Sequence, residues 1–273
     1  MIRHRMENII NFKNGYTEVN GLKMYYEVYG TGKPLVLIHG GGSTIETSFG
    51  RIIPLLAKTR QIIAMELQAH GHTNDRQTDL SFGQNADDIA VLLNDLKISN
   101  ADFLGYSNGG HTLIEIALRF PHVINKMILA STFYKRDAAP PQFWEGFDHV
   151  TINNMPEVLQ KGYLKANNSE EGLINMFNKD VKLLKGFTDW SDAQMRSIKA
   201  PALVINATQD VGSVEHAVKM YRMIPNCELV ILPGTHGEFL GTAEAISNGT
   251  WNQEYSIQII EEFLDRNQEK TEV

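Results

Sequence analysis

"FLGYSNGGH", Phe103 to His111, sets a serine between glycines at the point where an apolar run gives way to helical spacing. Phe103 and Leu104 end a strand-like run, and Thr112 to Phe120 place apolar residues at the three-to-four spacing of a helix. Ser107 therefore falls on a tight strand-to-helix turn. Such a turn lifts a side chain to the carboxyl edge of a sheet, and it needs glycine at Gly105 and Gly109, where strand and helix backbones approach closely.

The same alternation runs outward in both directions. Asn20-Gly21 joins "YTEV" to "LKMYYEVYG", a hairpin signal because both residues tolerate positive φ. Then follow the buried strand "PLVLIHG" (Pro34 to Gly40), a helix at "IIPLLAKT", the strand "RQIIAMEL", and a helix over Phe82 to Lys97. Past the serine come a helix, the strand "VINKMILAS", and, after a gap, the strand "PALVINATQD", a helix around "VEHAVKMYRMI", the strand "ELVILPG" and the helix "EYSIQIIEEFLDR". Strands alternating with helices pair in parallel through right-handed crossovers, which predicts an α/β fold with helices on both faces. From Thr132 to Lys199 the rhythm breaks. Pro140-Pro141 and scattered Phe, Trp and Met residues sit on helix-like segments with no strand pattern. The domain expectation is a core of 1–131 and 200–273 with a helical cap or lid at 132–199.

Composition narrows the classes. A chain of 273 residues with 42% hydrophobic and 21% charged residues has enough apolar surface for one large core. Net charge −7 provides no basic field for nucleic acid, and no stretch approaches the roughly 18 apolar residues of a membrane span. One cysteine, Cys227, excludes an internal disulfide and reads as a small buried hydrophobe. Met1 to Lys13 has too short an apolar core for a signal peptide, so a cytoplasmic location is expected. The expected partner is a small-molecule substrate; the oligomeric state stays open between a monomer and a homodimer.

A serine hydroxyl is a weak nucleophile unless a base, oriented by a third group, takes its proton. In a doubly wound sheet those partners follow later strands. Asp210 comes directly after "LVINATQ", and His236 directly after "LVILPGT" between Gly234 and Gly237. The nine histidines include five beyond the serine, and only His236 has that setting; His111 lies one helical turn past Ser107 and points into the helix surroundings. Asp137, after the preceding strand, is the competing acid. "HGGGS", His39 to Ser43, ends another strand and offers unobstructed N–H groups. Gly41 and Asn108 are the candidate oxyanion donors, with His39 an anchor of the turn.

On "HGGG", "GYSNGG", the Gln-Asp pair at 209–210 and "GTHGE", in order and each at a strand's end, the chain resembles the α/β-hydrolase family over nearly its whole length. The resemblance implies an eight-stranded, mostly parallel sheet, a cap after the sixth strand, and a Ser107–Asp210–His236 triad working without a cofactor. "ELQAHGHT", Glu66 to Thr73, looks like the family's structural loop after the fourth strand but departs from its pattern at Glu66, Gln68 and Ala69. The rival reading is a binuclear metal site at His70, His72 and Asp75, whose spacing is off by one residue. The expected function is hydrolysis of a carboxylic ester or thioester with a largely apolar acyl or aryl group. The alternatives are a perhydrolase, a C–C hydrolase or a lyase on the same fold, and a small-molecule receptor with little turnover.

Overall fold

The structure is a computed structural model that describes residues 12–245 and 253–266. Most of the Met1–Lys13 segment lies outside those residues. The strands are β1 (Phe12–Val19), β2 (Leu22–Tyr29), β3 (Lys33–Ile38), β4 (Arg60–Met65), β5 (Ala101–Tyr106), β6 (Ile124–Ala130), β7 (Ala202–Gln209) and β8 (Cys227–Thr235). They form one sheet in the order β1-β2-β4-β3-β5-β6-β7-β8. β2 runs antiparallel to β1 and β4, and every other pairing is parallel. The Asn20-Gly21 hairpin is formed as expected, with both residues at positive φ.

Two apolar layers cover the sheet. On one face Val36, Ile38, Phe103, Met127, Leu129 and Val204 meet α3 (Phe82–Asp95), α4 (Asn108–Arg119) and α9 (Val214–Met223). On the other, Leu35, Leu37, Leu104, Ile128 and Ile205 meet α1 (Ile45–Phe49), α2 (Ile53–Leu56) and α10 (Gln253–Asp265). Central strands buried on both faces explain the continuous apolar runs that take the place of alternation. The last helix is tied down by Lys126, whose Nζ donates to the carbonyls of Phe263, Leu264 and Arg266 at 2.7, 3.0 and 2.6 Å. A cation on the final carbonyls of a helix satisfies acceptors that have no intrahelical donor.

"IIPLLAKT" forms only the four-residue α2, because Pro54 starts a helix readily but the chain must turn into β4 within a few residues. Between β6 and β7 the described residues contain no strand. They form α5 (Pro141–Gly146), α6 (Glu157–Ala166), α7 (Glu170–Lys185) and α8 (Asp192–Ser197). α7 has a full set of end signals: Ser169 accepts from the Gly172 N–H, Glu170 and Glu171 occupy the first turn, and Lys182 and Lys185 the last. This helical stretch is not one apolar surface. Phe187, Trp190 and Met195 pack into the core layer around Phe82, His111 and Phe133, whereas Met155, Leu159, Tyr163, Leu173 and Met176 form a separate small cluster with Ala69. No helix among the described residues is long and apolar enough to cross a membrane.

Candidate active site

Ser107 stands between β5 and α4 with φ 52° and ψ −119°, a conformation that costs a non-glycine residue about 1–3 kcal/mol and persists only when its surroundings impose it. Here they do. The Ser107 N–H donates to Ala130 O at 2.9 Å, and its carbonyl accepts from Gly110 N–H (2.8 Å), His111 N–H (3.2 Å) and Thr132 Oγ1 (2.9 Å). The close approach expected at the flanking glycines is present. A Cβ at Gly109 would lie 2.0 Å from Ile38 O, and one at Gly105 2.5 Å from Gly109 O.

His236 reaches the serine from the end of β8. Its Nδ1 lies 2.6 Å from Asp210 Oδ1, and its Nε2 lies 3.1 Å from Ser107 Oγ. A carboxylate only accepts, so Nδ1 carries the proton and Nε2 is left to accept from the serine hydroxyl. Asp210 has no exposed side-chain surface. Its Oδ1 also accepts from Val211 N–H (2.8 Å), and its Oδ2 accepts from Ser131 Oγ (2.6 Å) and Ala207 N–H (3.0 Å). Burial alone would raise its pKa, but the bonds from His236, Ser131 and Ala207 and the charge of His236 outweigh burial and hold the carboxyl below the usual carboxylate value. Beneath the imidazole lies Tyr106, ring centroids 5.2 Å apart, its hydroxyl donating to Glu244 at 2.9 Å.

The "HGGGS" turn faces the elbow. His39 is fully buried; its Nδ1 donates to Gly40 O at 2.7 Å, and its Nε2 accepts from Leu67 N–H at 3.0 Å. One donor and one acceptor define a neutral ring, in keeping with burial and the neighbouring His70 pushing its pKa down to about 4. His39 thus ties two loops together. A Cβ at Gly41 would fall 2.5 Å from Asn108 Nδ2, so a side chain here would displace the Asn108 amide at the start of α4. The N–H groups of Gly41 and Asn108 meet no acceptor among the described residues.

The remaining candidates separate. Asp137 is a surface carboxylate beside His216 and Lys219, away from His236. His70 faces Asp180, His72 faces Glu66, and Asp75 faces Lys179 and Asn175, so the three groups of the metal reading turn to different partners. Glu66 is what anchors the loop after β4: its carboxylate accepts from the N–H groups of Ile45 and His72 and from the His72 ring. His111 is buried among Phe82, Phe133, Phe187 and Trp190, and neither ring nitrogen completes a hydrogen bond. Burial, opposed by the nearby Phe133 backbone, holds its pKa at about 3. Burial likewise pushes the Cys227 thiol up to about 12, an unreactive state. Ser131 and Tyr106 were not singled out from sequence. Ser131 ends a strand with no motif around it, and Tyr106 reads as one more apolar strand residue.

Comparison with known proteins gives the family of the chain. Residues 33–179, more than half of the chain, match the profile of the alpha/beta hydrolase fold. Serine hydrolase BPHL of Homo sapiens is 32% identical over 240 residues, spanning 83% of this chain and 81% of that protein. Pyrrolizixenacetamide deacetylase of Xenorhabdus hominickii is 24% identical over 214 residues, 71% of this chain and 79% of that one. Among solved structures, the meta-cleavage product hydrolase CumD from Pseudomonas fluorescens IP01 superposes with a TM-score of 0.74 at 19% identity, over 92% of this chain and 97% of its own, a likeness of fold. With its strand order, its strained serine elbow and these relatives, the chain belongs to the alpha/beta hydrolase fold family.

Proposed function

We propose that this hydrolase cleaves a carboxylic ester or thioester of a small, largely apolar substrate through an acyl-enzyme on Ser107. The observation that carries this reading is the unbroken relay from Asp210 Oδ1 to His236 Nδ1 (2.6 Å) and from His236 Nε2 to Ser107 Oγ (3.1 Å). Ser107 Oγ attacks the carbonyl carbon while its proton passes to His236 Nε2, and Asp210 stabilises the imidazolium. The N–H groups of Gly41 and Asn108 receive the oxyanion. Among the described residues they start without a protein acceptor, and the amino terminus of α4 favours negative charge there. The carbon–oxygen or carbon–sulfur bond to the leaving group then breaks, and His236 returns the proton to that group. Water, deprotonated by His236, attacks the acyl carbon; the bond from that carbon to Ser107 Oγ breaks, His236 returns the proton to Oγ, and the acid and free Ser107 are released.

Residues 132–199 serve in this reading as a cap over a core of 1–131 and 200–273. Met155 Cε and Leu159 Cδ1 would stand 3.3 and 3.9 Å from a Cβ at Gly42, which sets apolar side chains over the oxyanion loop and favours an apolar acyl or aryl group. Hydrolysis of p-nitrophenyl esters of increasing acyl length by the protein and its Ser107→Ala variant tests this function. The expected outcome is saturable turnover that falls by about 10⁴-fold or more in the variant. Equal rates for the two proteins would overturn the assignment, and a fully labelled Ser107 without turnover on any ester would favour the receptor alternative.

A further inference from the structure

Helix α7 buries Leu173, Met176 and Asp180 on one face, so a carboxylate occupies a place in an apolar stripe. Asp180 Oδ2 accepts from Gly42 N–H at 2.6 Å and faces His70 Nε2 at 3.0 Å. His70 Nδ1 in turn faces Gln68 O at 2.9 Å. Both nitrogens of this buried ring therefore point at acceptors, and only the imidazolium has two N–H groups to offer. His39, its ring centroid 4.9 Å away, is the contrasting case with one donor and one acceptor. Burial disfavours the charge on His70, but the Asp180 carboxylate, by attraction and hydrogen bond, outweighs burial and raises its pKa above the ordinary 6.5. The other titratable neighbours are His39, which its own hydrogen bonds keep neutral, and Glu66, on the loop after β4, which also favours the cation and itself holds His72.

We propose that Asp180 and His70 form a positioning pair for the oxyanion hole: the carboxylate fixes the loop Gly40 to Gly42, and the imidazolium cancels the carboxylate's charge. This inference rests on the acyl-enzyme reading. Asp180 Oδ2 would lie 3.5 Å from a Cβ at Gly41, next to one of the two oxyanion donors. A carboxylate without its counter-charge so close to a developing oxyanion opposes that charge in a site of low dielectric. The ground-state carbonyl is uncharged, so the penalty falls on the transition state, lowering kcat and sparing KM. Loss of the His70 proton at alkaline pH leaves such a carboxylate.

The test is the pH profile of kcat and KM on p-nitrophenyl butyrate for the full chain and for D180N, D180A and H70Q, with fluorophosphonate labelling of Ser107 followed alongside. The native protein is expected to lose kcat on its alkaline side at level KM. D180N carries no charge and still accepts from Gly42 N–H, so its alkaline fall should vanish while its kcat near neutral pH stays within about tenfold of native. D180A also releases the loop, and a kcat loss of about 10²-fold at similar KM is expected. H70Q should show the low alkaline kcat at every pH. Should D180A fail to fold, the D180N and H70Q profiles decide. An alkaline fall shared by native protein and D180N, with Ser107 labelled in both, would overturn the pair alone. A native protein whose Ser107 does not react would overturn the acyl-enzyme reading, and the pair with it.

Discussion

Asp210 has three donors on its two oxygens before His236 is counted, so the imidazole meets a carboxylate already fixed in place. Replacing it by asparagine would put an amide opposite His236, favouring the tautomer whose Nε2 bears the proton and cannot accept from Ser107. Asp210→Asn is expected to lower kcat on a p-nitrophenyl ester by about 10⁴-fold, as removal of a tautomer-setting acid does. A loss under tenfold would show that His236 does not depend on Asp210. At this scale the meeting of Ser107, Asp210 and His236 was legible because each stands at a strand's carboxyl end in a glycine-rich or turn context. Ser131 and Asp180 were not, since their contacts cross 79 and 138 positions of the chain and no local pattern announces them. The one available signal for Asp180 was a charge on the apolar face of α7, in line with Leu173 and Met176.

The elbow between β5 and α4 is an element whose geometry leaves no room for a side chain. A Gly109→Ala methyl would sit 2.0 Å from Ile38 O, a backbone atom of the central strand β3, so α4 must move away from the sheet. We expect Gly109→Ala to destabilise the fold by about 3 kcal/mol or more in urea unfolding, and to reduce Ser107 labelling even where the chain stays folded. A change below about 0.5 kcal/mol would mean that helix and strand are not held at this distance. Helix and strand periodicity made these elements readable in advance. It did not separate the two roles of the helical segment between β6 and β7, because Phe187, Trp190 and Met195 look the same in sequence as Met155 and Met176. Only three-dimensional placement distinguishes side chains that bind the segment to the core from those of the separate cluster, of which Met155 and Leu159 stand near Gly42.

For the whole molecule, burial of neutral histidines sets the response to acid. His39, His111 and His216 are held at about 4, 3 and 4, against 6.5 in an unfolded chain. Below 6.5 the unfolded chain binds protons that the folded one refuses, so stability is lost as pH falls toward those values. His70 acts with the opposite sign: its raised pKa contributes stability that is complete below 6.5 and is lost as pH rises through its folded value. His111→Phe keeps the aromatic packing and removes one of the three acid-sensitive groups. Urea unfolding near neutral pH and at about pH 5 should show the variant losing about 2 kcal/mol less than the native chain between them. An unchanged difference would mean that His111 is charged in the folded state. The central claim, that the strand ends of this sheet assemble an activated serine, is tested most directly by fluorophosphonate labelling of the folded protein and its Ser107→Ala variant, with peptide mass mapping. The account predicts one modified peptide, carrying Ser107, that is absent from the variant. A folded native protein that stays unmodified, or carries the label elsewhere, would contradict it.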